Sequence, residues 1–173
     1  MTTIIAFVSQ KGGVGKSTLS RALAREASIG WLRTKIADLD TQQGTSVDWN
    51  RTRLNAGIEP DVAAEAFATA AQALKIAHQY DLLIIDGPAR TSSGTLEIAG
   101  VADLVVQPTG ASVDDLRPAV REFHALVQAG IPKDSQLCCG GVNRVESEPQ
   151  LSRAKSAGLL LDFRPQMWCF QRK

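Results

Sequence analysis

The sequence predicts a doubly wound α/β fold, a mostly parallel sheet with helices on both faces. Three observations predict it. Continuous apolar runs such as Thr3 to Val8 and Leu82 to Ile85 read as strands buried on both sides, helical patterns alternate with them, and the first strand enters a helix through a glycine-rich loop. At 173 residues the chain fits one domain, 1–173, and is long enough to bury a core without disulfide or metal staples.

In chain order, Thr3 to Val8 is the first strand and Ser17 to Ala27 the helix after the glycine loop. Lys35 to Ala37 is a short second strand, followed by a helix from Thr45 to Ala56 that Gly57 and Pro60 close. Asp61 to Ala63 is a short strand leading to a helix over Phe67 to Gln79, although the alanine-rich stretch from Ala63 to Ala77 blurs that boundary. Leu82 to Ile85 is the clearest buried strand, and Gly87 to Gly94 reads as a loop. Leu104 to Val106 is a strand, and Val113 to Ala129 is a helix stopped by Gly130 and Pro132. Leu137 to Val142 and a helix over Pro149 to Ala157 complete the pattern.

Bulk properties narrow the function. A formal charge of +1 produces no whole-protein field of the kind that marks a nucleic-acid binder, so any such contact is a local patch. Cys138, Cys139 and Cys169 have no metal-ligand spacing and read as small packing residues. The first residues lack a signal-peptide pattern and no stretch is long enough to span a membrane, so a cytoplasmic, unprocessed protein is expected. His78 and His124 sit inside helical patterns with no acid or nucleophile at a telling distance.

The chemistry begins at "SQKGGVGKST", Ser9 to Thr18. A glycine loop between strand and helix turns consecutive backbone N–H groups around phosphate oxygens, and the helix N-terminus adds partial positive charge. The expected phosphate cradle is Gly12, Gly13, Val14, Gly15, Lys16, Ser17 and Thr18, with Lys16 on the β- and γ-phosphates and the Ser17 hydroxyl on Mg2+. The alternative is a glycine-rich turn with solvated lysines.

Two carboxylate segments follow. In "ADLDTQQ" Asp38 and Asp40 lie two apart, so on a strand both point to one side, toward Mg2+ or its waters. An Asx turn capping the next helix is the other reading. "YDLLIIDGPAR" ends a buried strand in Asp86, whose carboxylate would be unpaired without a metal partner; a plain strand-end turn is the alternative.

The loop departs from the usual G-x-x-x-x-G-K-[ST], because Gln10 stands where its first glycine belongs. It fits K-G-G-x-x-K-[ST] instead, and so resembles the deviant Walker A loop of the ParA/MinD family of P-loop ATPases. The resemblance runs from about Thr3 to Ala157, through "DLDTQ" (Thr41 in place of the commoner proline), Asp86, "VVQPT" and "GGVNR". It implies that Lys11 reaches the nucleotide of a second subunit, that Asp40 positions the attacking water and that Asp38 helps hold the metal shell. It further implies that Pro108 lies beside the base, that Asn143 hydrogen-bonds adenine and that the loop from Gly87 to Gly94 senses the γ-phosphate.

By the same resemblance the chain is a ParA-type partition ATPase using ATP and Mg2+. It would form a homodimer with ATP, bind DNA without sequence preference on the nucleoid and respond to an activating ParB-like partner, moving a plasmid or chromosome. DNA contacts would come from some of Arg51, Arg53, Arg117, Arg121, Arg144, Arg153 and Lys155, each otherwise a solvated surface residue. A metabolic ligase resembling dethiobiotin or cobyrinate synthetases is the second reading, and a nucleotide-binding remnant with little turnover the third. Residues from about 158 to 173 depart from the family pattern; Pro165 argues against a membrane-binding helix there.

Overall fold

The computed structural model describes residues 1–89 and 92–140. They form six strands: β1 (Thr3–Ser9), β2 (Thr34–Asp38), β3 (Ala63–Ala66), β4 (Leu82–Ala89), β5 (Leu104–Thr109) and β6 (Gln136–Gly140). Five α-helices alternate with them: α1 (Lys16–Ile29), α2 (Thr45–Asn55), α3 (Ala70–Ala77), α4 (Ser92–Val101) and α5 (Val113–Gln128). One sheet in the order β3-β2-β4-β1-β5-β6 holds all six, and every pairing is parallel.

Period-2 alternation within the apolar runs builds two cores. Leu83 and Ile85 of β4 join Ala6 and Val8 of β1 on the face covered by Ala70 and Ala73 of α3, Ile98 and Ala99 of α4 and Leu126 of α5. Leu82, Ile84 and Phe7 point the other way, toward Ala24 of α1, with Trp49 of α2 packed at the edge. Burial on both faces is why these strands lack polar alternation.

Three boundaries differ from the sequence expectation. β3 starts at Ala63, not Asp61, because its position is set by pairing with β2, from Lys35 opposite Ala63 to Asp38 opposite Ala66, and by an ion pair of 2.7 Å from Lys35 to Glu65. Helix α3 begins at Ala70, where the Thr69 hydroxyl caps it by accepting from the Gln72 N–H, while the Phe67 N–H still bonds to the Asp38 carbonyl. The expected loop through Gly94 is instead two elements. β4 runs on to Ala89 and α4 opens at Ser92, with Thr95, Ile98 and Ala99 turned into the core at helical spacing.

Between Phe7–Asp86 and Ser9–Ala89 the β1–β4 register gains a residue, at Gly87-Pro88. A Cβ on Gly87 would lie 2.8 Å from the Phe7 carbonyl oxygen, so only glycine fits there. Cys138 and Cys139 are free thiols on β6, and burial pushes Cys138 up to about 12. Arg53 is buried rather than solvated; it bonds the Ile58 and Pro60 carbonyls at 3.2 and 2.8 Å and so closes the turn after α2. The expected helix over Pro149 to Ala157, Arg144, Arg153, Lys155, Cys169 and the tail from 158 lie outside the described residues.

Candidate functional site

The carboxyl ends of β1, β2 and β4 meet at one edge of the sheet, where ligands bind in open α/β folds. Register places Asp38 and Phe7 each opposite Asp86. The chain leaves β1, turns through Gly13 and Gly15 at φ of 76° and 99°, and enters α1 at Lys16. Those left-handed angles favour glycine and turn the loop's amides over the helix start. No acidic residue occupies the first turn of α1, so nothing there repels an anion.

A cavity of about 550 Å3 opens over this loop. Its walls include Gly12, Gly13, Gly15, Lys16, Ser17 and Thr18, and it continues past Asp40 to Arg21 and Trp49. Lys16 is 8% exposed; burial lowers its pKa, while Asp86, Asp40 and Glu122 pull it back up. Val14 and Lys11 are not on the cavity wall.

Asp86 is 2% exposed. The Ser46 hydroxyl donates to its Oδ2 at 2.7 Å, whereas Oδ1 is buried with no hydrogen-bond partner. Burial raises the pKa of Asp86 and the charge of Asp38 adds to the rise; the Ser46 and Ser17 hydroxyls and Arg21 oppose it. An orphaned, buried carboxylate oxygen beside the Ser17 hydroxyl fits a divalent cation completed by phosphate and water oxygens. Mg2+ needs only one or two protein ligands beside a triphosphate, in keeping with the absence of a cluster of three or more His, Cys, Asp or Glu side chains among the described residues.

Asp38 behaves differently from the expected metal ligand. It is fully buried, its Oδ1 accepts from the Asp40 N–H at 3.1 Å and its Oδ2 from the Ser46 N–H at 2.9 Å. This is the geometry of the Asx-turn alternative: each oxygen accepts a backbone amide that fixes the start of α2. β2 ends at Asp38, so strand alternation does not align Asp40 with it. Asp40 lies in the following loop, on the cavity wall, and accepts from the Gln43 N–H at 3.3 Å.

Pro108, expected in a loop beside the base and there to shape it more than to touch the base, lies in a strand. It is fully buried in β5 opposite Cys139, past Val106, where β1 has ceased to pair with that strand, so its missing N–H breaks no ladder on that side. It shapes the strand and offers no surface to a base. Asn143 lies outside the described residues.

Several residues escaped the sequence reading. Ser46 is fully buried and links Asp38, Asp86 and Arg21, whose Nε donates to the Ser46 hydroxyl at 3.1 Å. Glu122 of α5 is 3% exposed, and its Oε2 accepts from the Gln10 N–H at 3.2 Å, anchoring the start of the loop. The available signal was an acid placed on the buried face of α5 with Ala119 and Leu126. Asp115, also on α5, forms an ion pair with Lys11, and nothing local in the sequence announces that contact.

Comparison with known proteins agrees with this geometry. No curated protein sequence is significantly similar to the chain. Among solved structures, apo McdA from Cyanothece superposes with a TM-score of 0.69 at 14% identity, covering 95% of this chain and 84% of its own. Cobyrinic acid a,c-diamide synthase from Mycobacterium smegmatis, with bound ADP and magnesium, gives 0.64 at 20% identity over 94% and 80%. A putative plasmid partition protein from Borrelia burgdorferi B31, bound to AMPPNP, gives 0.63 at 16% identity over 91% and 80%. At such identities the likeness is one of fold. Residues 5–152 match the profile of the CobQ/CobB/MinD/ParA nucleotide binding domain, and the chain belongs to that family.

Proposed function

We propose that the chain is a ParA-type ATPase that binds ATP with Mg2+, closes into a homodimer and holds DNA without sequence preference until hydrolysis releases it. The observation that carries this reading is the contrast between its two loop lysines. Lys16 is buried on the cavity wall, whereas Lys11 stands off that wall with its side chain 43% exposed and paired with Asp115 of α5, which suits service to a nucleotide other than its own.

In this reading the Gly12 to Gly15 amides and the start of α1 bind the phosphate oxygens. Lys16 neutralises the β- and γ-phosphates. Ser17 and the orphaned Oδ1 of Asp86 would hold Mg2+, which when bound supplies charge neutralisation at the phosphates. Asp40 accepts a proton-side hydrogen bond from the attacking water and so orients it, while the partner subunit's Lys11 stabilises charge on the departing phosphoryl group. Asp38 acts from behind by fixing the Asp40 and Ser46 amides. Asn143 remains the candidate for the adenine edge. An activating ParB-like protein would raise turnover, in a plasmid or chromosome segregation system.

Light scattering of the wild type and Lys11→Ala with ATP, ADP and no nucleotide tests the reading. A dimer only with ATP, lost in the variant, together with ATP-dependent retention of DNA, is the expected result. A chain that stays monomeric in every state overturns it. The cavity's extension to Arg21 and Trp49 favours a second reading, a carboxylate-activating ligase, because a guanidinium on the cavity wall suits an acid substrate. A phosphorylated metabolite detected by mass spectrometry would decide for it.

A further inference from the structure

Helix α5 grips the start of the loop at two consecutive residues. Glu122 takes the Gln10 backbone N–H at 3.2 Å, and Asp115, seven residues earlier and therefore on the same helical face, takes the Lys11 ammonium group. The two grips differ in kind. Glu122 is 3% exposed and holds backbone; the Asp115 side chain is 19% exposed and holds a side chain that water still reaches.

We propose that Asp115 is a positioning residue for Lys11, a reversible latch that keeps the lysine on its own helix until a nucleotide-bearing partner competes for it. The proposal rests on the reading that Lys11 acts across a dimer interface. Three features suit a latch rather than a structural ion pair. The Ser112 hydroxyl donates to Asp115 Oδ2 at 2.7 Å, so the carboxylate keeps a partner when the lysine leaves. The Asp115 N–H bonds back to Ser112 Oγ at 3.2 Å, fixing the carboxylate at the first turn of α5. Gly110 leaves the space it occupies, since a Cβ there would lie 2.1 Å from Oδ2.

Burial separates the latch from the anchor. A half-exposed pair of this kind is weak enough to open in water, whereas a triphosphate offers Lys11 several anionic oxygens in place of one carboxylate. Glu122 has no such exchange available, because releasing Gln10 would leave an acid buried without its amide partner. The loop's backbone is thus held while its first lysine is free to move.

Two variants open the latch by different chemistry. Asp115→Asn removes the charge and keeps an acceptor for Ser112. Gly110→Ala keeps the charge and crowds the carboxylate out of its seat, and no left-handed φ at Gly110 opposes the added methyl. The ATP concentration at half-maximal dimerisation, read by light scattering, is expected to fall about two- to fivefold in each, with the shift in the midpoint for ATP rather than in the maximal turnover rate. In a Lys11→Ala background, where no dimer is expected, neither change should restore dimerisation at any ATP concentration. An Asp115→Asn midpoint equal to wild type, or dimerisation with ATP that either change restores without Lys11, overturns the latch alone. A Lys11→Ala chain that dimerises and turns over like wild type overturns the trans reading itself, and that single variant identifies the failure.

Discussion

Lys11 and Lys16 sit five residues apart on one glycine loop, yet they occupy opposite physical situations. Lys16 is buried among Asp86, Asp40 and Glu122, which offset its desolvation. Lys11 is half-exposed and rests on one carboxylate of α5. Burial makes the first cation part of a preorganised site, whereas exposure leaves the second available for exchange. Under the proposed function one loop serves both an internal and an external role, and the difference predicts how each change should register.

The largest effect should come from Lys16→Ala. Truncating a buried charge that faces a polyanion removes about 2–5 kcal/mol of binding, roughly 30- to 4,000-fold in Kd for ATP. Titration calorimetry measures this, and a Kd within a factor of two of wild type would break the comparison at its first term. Next comes Lys11→Ala, which should leave ATP affinity of the monomer unchanged and lower turnover about 100-fold or more, the scale of a lost donor to transition-state charge. Equal losses of affinity in both variants would show that the lysines share one nucleotide.

Protons sharpen the buried half. Burial raises the pKa of both Asp86 and Glu122, so the folded chain holds their protons more tightly than the unfolded one. Their contribution to stability is full below the unfolded values, 3.8 and 4.5, and is lost as pH rises through the raised ones. If Asp86 holds Mg2+ as proposed, binding of the metal with nucleotide draws on its ionised form and should release a proton across that window. Calorimetry in buffers of different ionisation enthalpy should detect the release in the wild type and not in Asp86→Asn. The same variant should melt higher than wild type without nucleotide at pH 8, since it removes a buried carboxylate charge.

Much of this was legible in advance where local chemistry and tertiary structure agree. The strands around Thr3 and Leu82 could be read because burial on both faces demands unbroken apolar runs, and the loop because Gly13 and Gly15 occupy left-handed angles. Legibility failed where a distant partner decides. Ala63–Ala66 is a strand only because β2 pairs with it, and Ser92–Val101 hides a helix behind serine and glycine that packing against β1 overrides. The grip of Asp38 on the amides of Asp40 and Ser46 depends on where α2 begins, eight residues away at Ser46. Asp115 lies 104 residues from Lys11, and no spacing rule joins them.

The smallest expected effect is a control on the meaning of ion pairs here. Arg33 and Asp81 precede β2 and β4, at the end of the sheet opposite the loop, and meet through two side-chain hydrogen bonds of 3.1 and 2.7 Å. Hydrogen bonds from the Arg33 side chain and backbone hold Asp81 down to about 2, although both side chains are open to solvent. A lowered acid contributes stability above its unfolded value of 3.8 that disappears as pH falls toward 2. Asp81→Asn should therefore leave ATP-dependent dimerisation unchanged at pH 7, and any difference in melting should vanish in that acid window. If it shifted the ATP midpoint as Asp115→Asn is expected to, loss of any surface ion pair would suffice, and the distinct standing of Lys11 would have no basis in its position.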